Sequence, residues 1–135
     1  MESGISGSQV IDEARRYLGV PFRHRGRSIA GLDCAGLIII VYRKLGLMPN
    51  DFEETLYNKM PSIGLVEKTL SQFCTKKETA EPGDILMLSF LDNPCHMAFY
   101  TGETIIHAYN PRSKVVEEAC CQKWQNRLTG IYERH

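Results

Sequence analysis

The spacing of apolar residues changes once along this chain, at Pro82-Gly83-Asp84, and that change limits the folds open to it. Before it, apolar side chains recur three and four apart: Val10, Ile11, Ala14 and Leu18, then the run LIIIVY at 37–42, then Leu65, Val66, Leu70 and Phe73. After it come short β-like runs, ILMLSF, HMAFYTG, TIIHAY, KVVEE and GIYE. Helices first and strands second predict an α+β fold with a mostly antiparallel sheet, not an alternating βαβ one.

The punctuation places the helices. Ser8 reads as the cap of a helix over 9–18, ended by Gly19 and Pro21. Asp33 reads as the cap of a second helix running to about Leu45 and closed by Gly46. A third helix is expected over 65–74, after an irregular stretch at 47–64, and a short one over 121–127 around Trp124. Residues 19–32, with three glycines, a proline and the basic side chains Arg23, His24, Arg25 and Arg27, read as a loop. No repeat or linker interrupts the 135 residues, so 1–135 is expected to be one domain.

Bulk properties exclude several functions. Sixteen Lys plus Arg balance sixteen Asp plus Glu, so there is no basic field for nucleic acid. The apolar run at 37–42 is too short to span a bilayer. MESGISGSQV lacks a basic end followed by an apolar stretch, so no secretory signal is read there and synthesis in the cytoplasm is expected. Five cysteines, an odd number with no CxxC spacing, argue for reduced thiols rather than a disulfide framework or zinc ribbon.

One of those cysteines is placed for chemistry. In GLDCAGLIII at 31–40, Asp33 as cap makes Cys34 the first helical residue. The exposed N–H groups there carry roughly half a positive charge, which favours thiolate over thiol. The same groups can hold an oxyanion, and Ala35 and Gly36 leave room for substrate. The bland alternative is a small buried cysteine near a cap. A thiol nucleophile needs a base, and His96 and His107 flank the turn signal at 100–103. With Thr101-Gly102 as a two-residue hairpin loop, the histidines face each other directly, with Cβ atoms about 5 Å apart. A loop two residues longer makes them diagonal neighbours on one face, and a three-residue loop puts them on opposite faces. In either same-face register His96 is the candidate base and His107 the residue that orients it. A metal site from Cys95, His96, His107, Cys120 and Cys121 is disfavoured, because Cys95 and His96 point to opposite faces of a strand and adjacent cysteines chelate poorly.

Four blocks together resemble the NlpC-type papain-like cell-wall peptidases: LGVPFRHRGRSIAGLDCAGL (18–37), EPGDILML (81–88), HMAFYTG (96–102) and IIHA (105–108). The resemblance implies a papain-like fold and a Cys-His-His triad of Cys34, His96 and His107. It implies hydrolysis of peptidoglycan stem peptides through a thioester, often at a γ-D-glutamyl bond, with neither metal nor organic cofactor. Two positions depart from the family pattern: Ala35 stands where serine is usual, and Phe22 where a tyrosine is. Both positions are associated in the family with substrate binding near the nucleophile; Asp33 is kept, and it is a candidate to hold a ligand amine.

Arg25 and Arg27 are candidate clamps for stem-peptide carboxylates, because guanidinium matches carboxylate in a two-pronged fork, and His24 is a further candidate contact. The short form with its basic loop looks most like versions encoded with phage tail genes, which implies phage tail proteins as partners and delivery to the cell wall in a virion. Two rivals keep the fold: an inactive phage-tail or assembly module, favoured by Phe22 and Ala35, and a thiol amidase or acyltransferase using the same three residues.

Overall fold

The computed structural model describes residues 4–50, 63–90 and 95–135. Its first helix, α1, spans Gly7–Arg15 and is capped by Ser6, not Ser8. Ser6 Oγ accepts from Gln9 N–H while the Gln9 side chain accepts from Ser6 N–H, a reciprocal capping box that Ser8 has no partner to form. The helix also ends sooner than expected, and Leu18 is 41% exposed rather than part of the buried stripe of Val10, Ile11 and Ala14.

The segment expected to be a plain loop contains a two-residue hairpin, β1 (Arg27–Ser28) against β2 (Gly31–Leu32). It delivers the chain into α2, Cys34–Lys44, where Asp33 is the N-cap. Gly46 takes the left-handed conformation just past the helix, as its stop requires. Seven residues of α2 are buried, from Ala35 to Tyr42, so it is a rod enclosed by the rest of the domain. The helix α3 covers Ile63–Leu70, earlier than the expected 65–74, and Cys74 instead opens a strand, β3 (Cys74–Lys77). Most of the irregular stretch read at 47–64 lies outside the described residues.

The remaining strands are β4 (Ile85–Leu88), β5 (His96–Tyr100), β6 (Thr104–Tyr109), β7 (Lys114–Ala119) and β8 (Leu128–Arg134), with the short helix α4 (Gln122–Gln125) before the last. They form one six-stranded sheet in the order β3-β8-β4-β5-β6-β7, with every neighbouring pair antiparallel. This is the expected α+β arrangement. The C-terminal strand inserts between β3 and β4, so the last segment closes the sheet rather than extending it.

Alternation along the strands sorts the two faces. Ile85, Met87, Met97, Phe99, Ile106 and Ala108 pack with α1 and α2. Leu86, Leu88, Ala98, Ile105 and Ile131 pack on the other face with Trp124. Trp124 thus covers this face of the sheet. Arg15 ties α1 to β7 by a two-pronged contact with Glu117 at 2.9 and 3.0 Å.

The start of α2 lies directly against the loop that precedes it. A Cβ added at Gly36 would collide with the Gly26 carbonyl oxygen and approach Arg27 Nη1 at 3.0 Å and Asp33 Oδ1 at 3.1 Å. Neither backbone can yield without moving the hairpin, so Gly36→Ala is expected to lower unfolding free energy by about 1–3 kcal/mol. Chemical denaturation checks this; an unchanged midpoint would show that the loop does not press on the helix.

Candidate active site

Cys34 is partly exposed at the first position of α2. The residue before it anchors the surrounding loop. Asp33 is 3% exposed, and its Oδ1 accepts from Gly36 N–H at 2.7 Å and from Arg27 Nη1 at 3.0 Å. Its Oδ2 accepts from the Arg25 N–H at 2.8 Å. Arg25 has φ of 63°, a left-handed conformation uncommon for a residue with a Cβ, and the bond to Asp33 helps hold it there. Arg27 is further fixed by donating to the Gly26 carbonyl at 2.8 Å. One buried carboxylate therefore caps the helix and shapes the basic loop. His24 and the Arg25 side chain lie on the exposed surface of that loop, and Phe22 packs partly buried against the helical core.

The two histidines are hydrogen-bonded to each other. Phe99 pairs with Ile106 and Tyr100 with Ile105, so the β5–β6 loop is two residues longer than the shortest alternative. His96 and His107 are diagonal neighbours on one face, and His96 Nε2 lies 2.7 Å from His107 Nδ1. Of the two same-face registers the sequence allows, the diagonal one is formed. The longer turn is built by Thr101, whose Oγ1 accepts from Thr104 N–H at 2.9 Å, and by Gly102 at φ of 107°.

A strand bridge sets the loop that leads into α2 beside the Tyr109 end of β6 and the start of β7. Pro21 bridges to Lys114, which pairs with Tyr109; Phe22 bridges to Leu32, two residues before Cys34. The His96 ring lies 5.7 Å from that of Tyr109. The helix α2 packs across β5 and β6 on the face of Met97, Phe99, Ile106 and Ala108, and the histidines alternate onto the face of Trp124.

Two features of the histidine environment went unread in the sequence. The first is an aromatic enclosure. Tyr109 stacks on His107 at 4.8 Å and 18°, Trp124 meets His107 edge-on at 5.0 Å, and Phe90 meets His96 edge-on at 5.5 Å. The second is Glu118, whose Oε2 lies 2.8 Å from His107 Nε2. His107 pairs with Val116, so Glu118 is its diagonal neighbour from β7. The signal was present in KVVEE beside TIIHAY, but its register could not be set without the turn at 110–113. Among the described residues no group of three or more His, Cys, Asp or Glu is arranged to hold a metal, and no helix is long and apolar enough to cross a membrane.

Burial governs the electrostatics. It pushes the His96 pKa down to about 3, and the neighbouring His107 adds to this. His107 is also lowered by burial, against the opposing pull of Glu118. Both rings are neutral at pH 7. Among the other thiols, burial pushes Cys74 up to about 11 and raises Cys95 and Cys120, so these three resist deprotonation.

The buried neutral histidines couple folding to pH. In the unfolded chain each titrates near 6.5, so below that pH the unfolded state binds more protons than the folded one. The associated stability is present above pH ~6.5 and is lost as pH falls toward the depressed folded values, by at most ~1.4 kcal/mol per pH unit per histidine. Urea unfolding from about pH 7 down to about pH 4 should show this loss, with a smaller slope in His96→Gln. An equal slope in wild type and variant would mean that His96 is charged in the fold.

A sequence model described as the NlpC/P60 family matches residues 19–133. Among curated proteins, the chain is 26% identical over 110 residues to the probable peptidoglycan endopeptidase LytE of Bacillus subtilis, covering 78% of this chain. It is 27% identical over 128 residues to the gamma-DL-glutamyl hydrolase of the same organism, covering 90% of this chain. It spans only 28% of the length of each. Among solved structures, it resembles RipD of Mycobacterium tuberculosis, described as a non-catalytic NlpC/p60 domain protein adapted to peptidoglycan binding, with a TM-score of 0.63 at 20% identity, covering 95% of each chain. The family match takes in the loop into Cys34, the Pro-Gly-Asp strand entry and both histidine strands, and this chain belongs to the NlpC/P60 family.

Proposed function

We propose that this domain is a cysteine peptidase that hydrolyses peptidoglycan stem peptides. The observation that carries the reading is the His96–His107 hydrogen bond, 2.7 Å long and buried, in a chain whose partly exposed Cys34 opens the buried helix α2. In this mechanism the Cys34 thiol gives its proton to His96 Nδ1, the ring nitrogen not bonded to His107. The sulfur attacks the scissile carbonyl carbon, and the oxyanion is held by N–H groups at the start of α2, including that of Cys34. His96 then returns the proton to the departing amine, leaving a thioester. Water, deprotonated by His96, cleaves the thioester and frees the thiol.

Substrate contacts follow from the loop. Arg25 and His24 lie on the surface beside the nucleophile and are assigned to the carboxylates of the stem peptide. Phe22 offers an apolar wall where the family pattern has a tyrosine hydroxyl. Asp33 and Arg27 hold each other at 3.0 Å, so a substrate amine reaching Asp33 would compete with Arg27. The acting compartment in this reading is the cell wall, following synthesis in the cytoplasm. A virion or phage tail is the proposed vehicle.

A second reading has specific support. Ala35 and Phe22 remove two polar groups near the nucleophile, and a solved relative of the same fold is described as non-catalytic and adapted to peptidoglycan binding. This alternative is a wall-binding or assembly module without hydrolysis. A thiol amidase or acyltransferase would use the same residues on another acyl group.

Incubating the protein with purified peptidoglycan and identifying new termini by mass spectrometry separates these readings. Hydrolysis predicts new peptide amino termini that are lost in Cys34→Ala. Sedimentation with peptidoglycan and no new termini in wild type would favour the binding module. The two arginines should also part company. Arg25→Gln should raise KM for an acidic stem peptide more than for its amidated form, with an effect that shrinks as salt rises. Arg27→Gln should instead lower thermal stability, because it removes the partner of a buried carboxylate. Equal KM changes for the two peptides in Arg25→Gln would exclude carboxylate recognition.

A further inference from the structure

We propose that Glu118 is a positioning residue that fixes the proton arrangement of the His96–His107 pair. The inference rests on the peptidase reading for its catalytic consequence, though not for the arrangement itself. Glu118 reaches the pair from β7, a strand that carries neither histidine, and its Oε2 lies 2.8 Å from His107 Nε2. Its other oxygen accepts from Arg112 Nη2 at 3.2 Å. Both carboxylate oxygens are thus engaged, and the group is aimed at the imidazole by the guanidinium behind it.

An ionised carboxylate only accepts hydrogen bonds. His107 must therefore carry its proton on Nε2. A neutral imidazole holds a single N–H, so His107 Nδ1 is an acceptor. Its partner at 2.7 Å, His96 Nε2, must then be the donor. That assignment leaves the lone pair of His96 on Nδ1, the atom that takes the thiol proton in the mechanism above. One carboxylate thus sets two tautomers in series. Tyr109 stacked on His107 and Trp124 against its edge screen the relay from water that would offer alternative partners.

Without Glu118, His107 is free to take the opposite tautomer, with its proton on Nδ1. His96 Nε2 would then have to accept, and its proton would move to Nδ1. A ring protonated there cannot receive a proton from Cys34. Glu118 touches neither substrate nor nucleophile in this scheme and acts through His107.

Imidazole nitrogen–proton correlation NMR on the ¹⁵N-labelled 135-residue chain tests the arrangement without requiring activity. Wild type should show N–H on Nε2 of both His96 and His107, with both Nδ1 atoms bare. In Glu118→Gln, whose amide can present either an acceptor or a donor, the Nδ1–H form of His107 should appear. Turnover of peptidoglycan fragments should fall in parallel by about tenfold in kcat with little change in KM, a fraction of the 10²–10⁴ that a general base contributes. Glu118→Ala should fall at least as far. An Nδ1–H tautomer of His107 in wild type overturns the proposal, as does wild-type kcat in a folded Glu118→Gln. Wild-type protein that shows the expected tautomers but releases no new peptide termini would leave the Glu118 assignment standing and remove the peptidase reading instead.

Discussion

The register between β5 and β6 is the constraint on which the site depends. Side chains alternate across a strand, so a slip of one residue in this pairing would send His96 and His107 to opposite faces. The turn prevents that slip. Thr101 accepts the Thr104 N–H through its hydroxyl and donates its own N–H to the Thr104 carbonyl at 3.0 Å. The Gly102 conformation suits a residue without a Cβ. The opposite edge of β5 is clamped as well, because Tyr100 N–H donates to the Asp84 carbonyl and Gly83 N–H to the Tyr100 carbonyl. The Pro-Gly-Asp entry to β4 therefore helps place a histidine four residues away on the neighbouring strand.

Asp33 plays the corresponding part on the helical side. It joins the cap of α2, the strained backbone at Arg25 and the Arg27 guanidinium through one buried carboxylate. Burying such a charge is unfavourable unless it is fully hydrogen-bonded, and three donors meet that need here. The nucleophile loop is thus held by electrostatics and close backbone packing, whereas the histidines are held by sheet register and aromatic packing. The nucleophile loop joins the sheet through the bridge of Pro21 to Lys114, while Phe22 bridges to Leu32 within the loop itself.

Much of this was legible in the sequence because it is local. Asp33 as a cap, Gly46 as a stop and the switch from helices to strands all rest on signals within a few residues. Ser6 caps α1 in place of Ser8 because the capping box depends on Gln9, three residues beyond the true cap. The strand at Cys74–Lys77 was missed because CTKK is polar at an edge, and its pairing with the C-terminal β8 lies far away in sequence. Glu118 was missed for the same reason. Its meaning comes from a cross-strand diagonal, and the turn between β6 and β7 contains a 3-10 helix at Asn110–Arg112 and a left-handed Ser113 that a pattern of apolar residues does not reveal.

The proposed peptidase function turns on the claim that the His96–His107 pair activates Cys34. Site-resolved alkylation measures this most directly: the rate of modification of each cysteine is followed against pH by mass spectrometry, in wild type and in His96→Ala. Below about pH 7, Cys34 should react faster than Cys74 or Cys120, whose thiols burial holds protonated, and the His96 replacement should slow Cys34 alone. A Cys34 rate no greater than that of the buried thiols, or one indifferent to His96, would contradict the claim.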